Sequence, residues 1–547
     1  MPRHRGTFYP AVALHYTSPS SWIPKIRLAV RVRSPVCRSC SLRRPPMDVQ
    51  AAYRQFVAAL REQADLEDAL RLLEWDQATY MPPGAAEDRA QQMATLTRFL
   101  HARRTDPAFL ALVDELAERQ ASLTPEQTVD VRETKWRVDR LRGVPADLPA
   151  ARAQAQATAR SLWLVAREQN RFAVLAPQLA EVLQLEREYA AALCDRGDVY
   201  TALLEEYEPG LDTELLDELF AALRPHLVRW VDQLRELSAR SGRHPRALQG
   251  TFPVPEQKKL NRFVAEALGF DFQVGRLDES AHPFSISIGR DHRITTRYDP
   301  QDLKSALYST LHEVGHALYE QGLDPAARGL PRGTACSLGV HESQSRLWEN
   351  FVGRSEAFWR FLLPHASRVF PQLRGVSLHA VLLEVNEARP SLIRTEADEL
   401  TYNLHILLRY ELERKLVAGE LSVVDLPQAW REGMLALFGI APTDDREGVL
   451  QDIHWASGAF GYFPTYTLGN LYAAQFMETA EREVGPLSPH IERGNFQQLR
   501  SWLEHRIHRL GQRFRAPDLL QHVTGTPPSP RSLIDHLNRR LDWLLRH

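Results

Sequence analysis

The chain has 547 residues, 44% of them hydrophobic and 25% charged, a balance suited to a globular body with a sizeable core. A net charge of -2 offers no global attraction to nucleic acid or an anionic membrane, and no apolar run approaches the ~20 residues needed to span a bilayer. Four cysteines (Cys37, Cys40, Cys194 and Cys336) are too few for a disulfide scaffold and point to a reducing, cytoplasmic setting.

Residues 1–46 carry nine Lys/Arg and no acidic residue, so the net -2 less those nine charges leaves -11 on the remainder. The stretch is Arg-, Ser- and Pro-rich, without the apolar core of a secretory signal. It is expected to be a basic extension, either disordered or absent from the native protein. Met47, followed by Asp48 and a clean helical pattern, is the natural start, and the mass of the intact native protein decides this. Within it, Cys37-Arg-Ser-Cys40 has metal-ligand spacing but no second Cys/His pair nearby.

From Asp48 the periodicity is helical nearly throughout. Ala51–Leu73, Ala150–Gln169, Phe172–Arg196 and Asp212–Ser238 are long, amphipathic and rich in Ala, Leu, Glu and Arg. Met81-Pro-Pro-Gly84, Glu208-Pro-Gly210 and Gly322 punctuate them. With no internal repeat or linker, 47–547 reads as a single large helical domain. One segment alternates instead: Phe284–Ile288, a turn at Gly289-Arg-Asp291, then Arg293–Tyr298, which predicts a β-hairpin.

Immediately after the hairpin comes His312-Glu-Val-Gly-His316. Helical residues four apart share a face, so the two imidazoles can hold one ion. Glu313, rotated to the side, can take a proton from water activated by that ion. Asp299-Pro300 supplies a helix start and Gly322 a stop. Leu303, Leu307, Leu311, Val314 and Leu318 form one apolar stripe, with His312 and His316 on the opposite face. The bland alternative is a pair of solvated surface histidines. A catalytic zinc takes three protein ligands and keeps a position open. Glu342, in the helical stretch opened by His341, is the candidate third ligand; Glu349 and Glu320 are alternatives that spacing leaves open.

Further motifs accompany these: His282-Pro-Phe284, Asp291-His-Arg293-Ile-Thr295, His341-Glu-Ser-Gln344, Ile393-Arg394-Thr-Glu-Ala-Asp398 and Gly448-Val-Leu-Gln-Asp452-Ile-His454-Trp455. In this order they resemble the carboxypeptidase Taq (M32) family of metallocarboxypeptidases, from about Met47 to the C-terminus. The resemblance implies a mainly α, saddle-like fold with a deep active-site groove, a small sheet beside it, and a homodimer. It implies a zinc-type divalent ion, one per chain (Co2+ or another ion being an alternative), held by His312, His316 and Glu342. Glu313 is then the catalytic carboxylate. The implied substrate is a peptide with a free C-terminus, cut with broad preference and poorly at C-terminal proline.

Such an enzyme must pair the buried α-carboxylate of its substrate, and an arginine fork suits this. Arg293 and Arg394 are the candidates. His454 and the tyrosines of Gly461-Tyr462-Phe-Pro-Thr-Tyr466 are candidate donors to the oxyanion, though buried tyrosines are as often simple packing. Asp291, Asp398 and Asp452 are expected to orient arginines or ligand histidines. Two other readings compete: a metallo-endopeptidase on the same helix, and a non-catalytic helical scaffold.

Overall fold

Asp48 opens the first helix, Val49–Thr79 (α1), by accepting a hydrogen bond from Ala51 N at 3.1 Å. The computed structural model describes residues 48–547 apart from 195–197 and 241–245. The basic extension and the Cys37/Cys40 pair therefore lie outside the described residues. Leu148–Glu168 (α2) follows the expected bounds closely. The segment expected as one helix over 172–196 does not hold as one. A 3-10 turn at Phe172–Val174 precedes Ala176–Leu193 (α3), because Pro177 suits the first turn of a new helix and not an interior. Thr213–Arg240 (α4) is continuous in spite of Pro225.

Three strands come next: Gly275–Glu279 (β1), Ser285–Ile288 (β2) and Asp291–Thr296 (β3). The predicted hairpin is β2–β3, antiparallel, with Ile286 opposite Arg293 and Ile288 opposite Asp291. Its two-residue turn places Gly289 at φ +58°, a conformation that glycine adopts without strain. Strand β1 was not expected; it pairs parallel with β3, giving the order β1-β3-β2. On β3, Ile294 is buried in the main core while Arg293, its neighbour in sequence, points to the other face and lies over the Trp75 ring of α1 at 4.1 Å.

The histidine helix runs Leu303–Gly322 (α5). Its start is Asp302 rather than Asp299-Pro300: the Asp302 carboxylate accepts from Lys304 N at 2.9 Å and Ser305 N at 3.3 Å, while Asp299 bridges back to Asp302. The leucine stripe is buried as expected. Tyr308, Ala317 and Tyr319 are buried too, so α5 is a core helix covered on several sides.

The helix that carries Glu342, Leu338–Arg346 (α6), is capped by Ser337, which accepts from Val340 N at 3.1 Å. It continues as a π-helical segment over Leu347–Val352. Tyr402–Ala418 (α7), Pro464–Val484 (α8) and the C-terminal Arg531–Arg546 (α9) complete the elements around the site. Residues 48–547 form one compact, mainly helical unit with the small sheet at its side. A cavity of about 1130 Å³ opens between α1, β2 and the C-terminal end of α5. Ser287, Glu320 and His341 line it, whereas His312, His316 and Glu342 do not.

Candidate active site

The α5 and α6 helices bring His312, His316 and Glu342 together, each offering one ligand atom within 4.8 Å of the others. The Glu342 Oε2 atom lies 3.6 Å from His312 Nε2 and 3.4 Å from His316 Nε2. The two rings stand nearly perpendicular at 84°.

Their outer nitrogens fix which atom faces inward. His316 Nδ1 is 3.1 Å from the backbone oxygen of His341, which only accepts, so Nδ1 carries the hydrogen. His312 Nδ1 is 2.8 Å from Glu349 Oε2 and donates for the same reason. Both Nε2 lone pairs are thereby left for an ion. Two imidazoles and one carboxylate form the donor set of a catalytic zinc, and the residues fit the group. The alternatives for a third ligand have other work: Glu349 orients His312, and Glu320 pairs with His341 Nε2 at 3.0 Å.

The charges agree with the geometry. Burial opposes a charge on His312, but Glu342 and Glu349 outweigh it and lift the imidazole to about 9. This position draws positive charge, which a divalent ion would supply. Burial and the neighbouring His341 push His316 down to about 3, leaving it neutral as a ligand must be. Burial also works against ionised Glu342, yet Arg346 and the two histidines hold its carboxyl well below the usual range. Arg346 Nε donates to Glu342 Oε1 at 2.7 Å and its Nη1 to Glu349 Oε2 at 3.2 Å. Glu313 behaves differently: burial lifts it up to about 7, with His312 pulling against the shift and Glu342 adding to it.

A second group of side chains adjoins the first. His454 Nε2 is 3.1 Å from Tyr466 OH, and the Tyr462 ring is 5.4 Å from that of His454. Burial and then Glu342 raise the Tyr462 hydroxyl, keeping it a neutral donor. Arg394 sits over the Tyr466 ring at 4.8 Å and donates to Tyr402 OH at 3.0 Å and to Asp452 Oδ1 at 2.7 Å. Arg346, in turn, lies over the Tyr402 ring at 4.5 Å, which links the two groups.

Arg293 is not brought into either group. It donates twice to Asp291 and stacks on Trp75, and none of its described contacts reaches the histidines or Glu342. Asp291 and Asp452 therefore do orient arginines, Asp452 holding both Arg394 and Arg409. Asp398 does not; its carboxylate caps Leu400 N and Thr401 N and accepts from Arg389 N.

A sequence model of the family described as carboxypeptidase Taq (M32) metallopeptidase matches residues 55–541. The chain belongs to the M32 family. It is 45% identical over 508 residues to thermostable carboxypeptidase 1 of Thermus thermophilus, covering 90% of this chain and 99% of that one. Carboxypeptidase 1 of Bacillus subtilis is 35% identical over 498 residues, at 90% and 99% coverage. The crystal structure of the M32 carboxypeptidase from Deinococcus radiodurans R1 superposes with a TM-score of 0.87 at 38% identity, again covering 90% and 99%. The chain is thus a metallocarboxypeptidase, and its family implies a divalent metal.

Two glycines let the helices of this M32 enzyme pack closely around the ligand residues. A Cβ on Gly315, inside the histidine motif, would sit 2.6 Å from Gln344 O and Ser345 Cα of α6. One on Gly469 of α8 would sit 2.5 Å from Glu342 Cγ. The Gly315→Ala variant is expected to lose about 1–3 kcal/mol of stability, because backbone and not a side-chain tip must yield. It should also bind its metal more weakly, since α6 carries Glu342. A urea titration with metal analysis checks both, and an unchanged midpoint would show that the helices are not in register-limiting contact.

Proposed function

We propose that this M32 metallocarboxypeptidase removes single residues from the C-terminal end of peptides, using zinc held by His312, His316 and Glu342. The observation that carries the reading is the convergence of two oriented imidazoles and an ionised carboxylate, with Glu313 buried beside them. When bound, an ion of this kind supplies Lewis acidity that polarises a carbonyl and acidifies water. Cobalt or another divalent ion would suit the same donors.

The protein's own groups perform the remaining steps. Glu313 takes the proton of the attacking water on its carboxylate and passes it to the leaving amine. A carboxyl lifted to about 7 is matched to both halves of that transfer near neutrality. Tyr462 and His454 donate to the oxyanion. Burial, with Arg394 and Arg409 nearby, lowers His454 to about 4, so it is the neutral ring that takes part. Arg394 grips the substrate carboxylate: three of its five N–H groups are committed to Asp452 and Tyr402, which leaves a fork for a ligand. Arg293 is the other candidate for the same carboxylate, with its Nε and Nη2 already paired to Asp291.

Broad side-chain preference, slow cleavage at C-terminal proline and a homodimer rest on the family likeness alone. A cytoplasmic location is supported by the free thiols of Cys194 and Cys336. Mass spectrometry of a digested peptide tests the core of the reading. The expected result is a ladder of products each one residue shorter at the C-terminus, absent with chelator and absent for a C-terminally amidated peptide. Cleavage of the amidated peptide would show an endopeptidase instead.

A further inference from the structure

The loop 453–463 bears both His454 and Tyr462; a 3-10 turn at Trp455–Ser457 and the bond from Ala459 N to His454 O at 2.9 Å shape its first half from within. A residue outside the motifs anchors it to the rest of the fold. Glu413, on α7, is fully buried, and no described Lys, Arg or His pairs with its carboxylate. Three neutral donors from three separate places converge on it instead. Trp455 Nε1 donates to Oε2 at 2.7 Å. Gly461 N and Tyr200 OH, the latter at 2.8 Å, both donate to Oε1.

Two of these donors are the immediate neighbours of the loop's functional residues. Trp455 follows His454, and Gly461 precedes Tyr462. The carboxylate therefore ties the loop down at both ends, one oxygen for each. Gly461 needs that tie. It adopts φ +82°, and a Cβ there would lie 2.7 Å from Leu203 C, so the loop is pressed against the Val199–Leu204 helix that also presents Tyr200. Burying a lone carboxylate is costly, and burial lifts this one up to about 7 against the pull of its three donors. An apolar side chain would avoid that cost but would leave two N–H groups and a hydroxyl without acceptors. The arrangement makes sense as a rigid two-ended clamp, since a misplacement of ~1 Å in a catalytic donor costs about 100-fold in rate.

We infer that Glu413 is a positioning residue for peptide hydrolysis: its carboxylate holds the 453–463 loop at Trp455 and Gly461 so that His454 and Tyr462 present their donors to the oxyanion. This rests on the oxyanion role proposed above for those two residues.

The test is Glu413→Gln, which keeps shape and hydrogen-bonding capacity but turns one acceptor into a donor that faces an N–H group. In the metal-loaded enzyme kcat should fall by about 100-fold while KM and metal content stay within about two-fold. Adding Trp455→Phe to that variant removes the opposed N–H and should bring kcat back only to the level of Trp455→Phe alone, because the Trp455 end of the loop stays untied. A purely structural role would lower the melting temperature but leave kcat per metal-loaded molecule unchanged, and that result would overturn the inference. If Glu413→Gln does not fold, Trp455→Phe alone releases one end of the loop, and an undiminished kcat there overturns it equally. Tyr462→Phe and His454→Ala separate the two claims. Normal kcat in both sinks the oxyanion reading and the inference with it, whereas low kcat in both beside a normal Glu413→Gln sinks the inference only.

Discussion

Glu313→Gln is expected to lower kcat by about 10³-fold, the middle of the range for a lost general acid–base group, with the metal still bound at wild-type level. The side chain is isosteric, so what changes is the ability to accept and return a proton. Glu313 is suited to that task by what it lacks. Glu342 and Glu349 are pinned by arginine and histidine, whereas burial and neighbouring charge, rather than a hydrogen bond, set the state of Glu313. A group already tied by hydrogen bonds would have to break them at each proton transfer. Because burial disfavours the charged form of Glu313, the amide should cost no stability and can raise the melting temperature slightly. Metal analysis, kcat and a thermal melt on one preparation check all three parts. Full activity would require a different base, and loss of metal would recast Glu313 as part of the ion's charge balance.

Much of this site was readable in the sequence because it depends on spacing. Two histidines four apart on an amphipathic helix share a face whatever surrounds them, and the leucine stripe set opposite them is buried as the periodicity requires. The hairpin was readable for the same reason, its alternation ending at a glycine turn. Strand β1 was not: Gly275-Arg-Leu-Asp-Glu279 is short and mostly polar, and only its parallel pairing with β3 makes it a strand. The start of α5 was misplaced because Asp299-Pro300 and Asp302 carry similar signals, and only the capping bonds choose between them.

Contacts made between elements were the hardest to foresee. Glu349 has the composition of a third ligand, and its place behind His312 follows from the π-helical segment, whose altered hydrogen-bond register leaves no mark in composition. The Glu342–Arg346–Glu349 charges lie four and three residues apart, a helical ion-pair pattern that could have flagged Arg346. Nothing local marks Tyr402 as the link from Arg346 to Arg394, or Glu413 as the anchor of the loop at Trp455. Asp398 shows the converse error: a carboxylate inside a functional motif whose work is to cap the turn before α7.

Glu342→Gln should abolish activity by releasing the metal, with affinity falling more than about 100-fold, beyond what loss of an orienting partner costs. The reasoning is electrostatic. His312 and His316 present neutral Nε2 atoms to the ion, so Glu342 is the one charged ligand, and an amide oxygen is a poor replacement. The same change removes one of two counter-charges from Arg346, which is held between Glu342 and Glu349 and stacked on Tyr402. Breaking one side of a buried ion pair costs about 3–5 kcal/mol, and the surviving contact to Glu349 should keep the loss toward the lower end. Glu349→Gln is the informative partner. It leaves all three ligands in place, replaces the charged acceptor at His312 Nδ1 by an amide and takes one counter-charge from Arg346, so affinity should fall by about 10- to 100-fold and activity should return when metal is added in excess. The two variants therefore separate a ligand from a carboxylate that merely aims one. Titrating each apoprotein with zinc while following turnover measures the difference, and the assignment fails if Glu342→Gln is rescued by metal and Glu349→Gln is not.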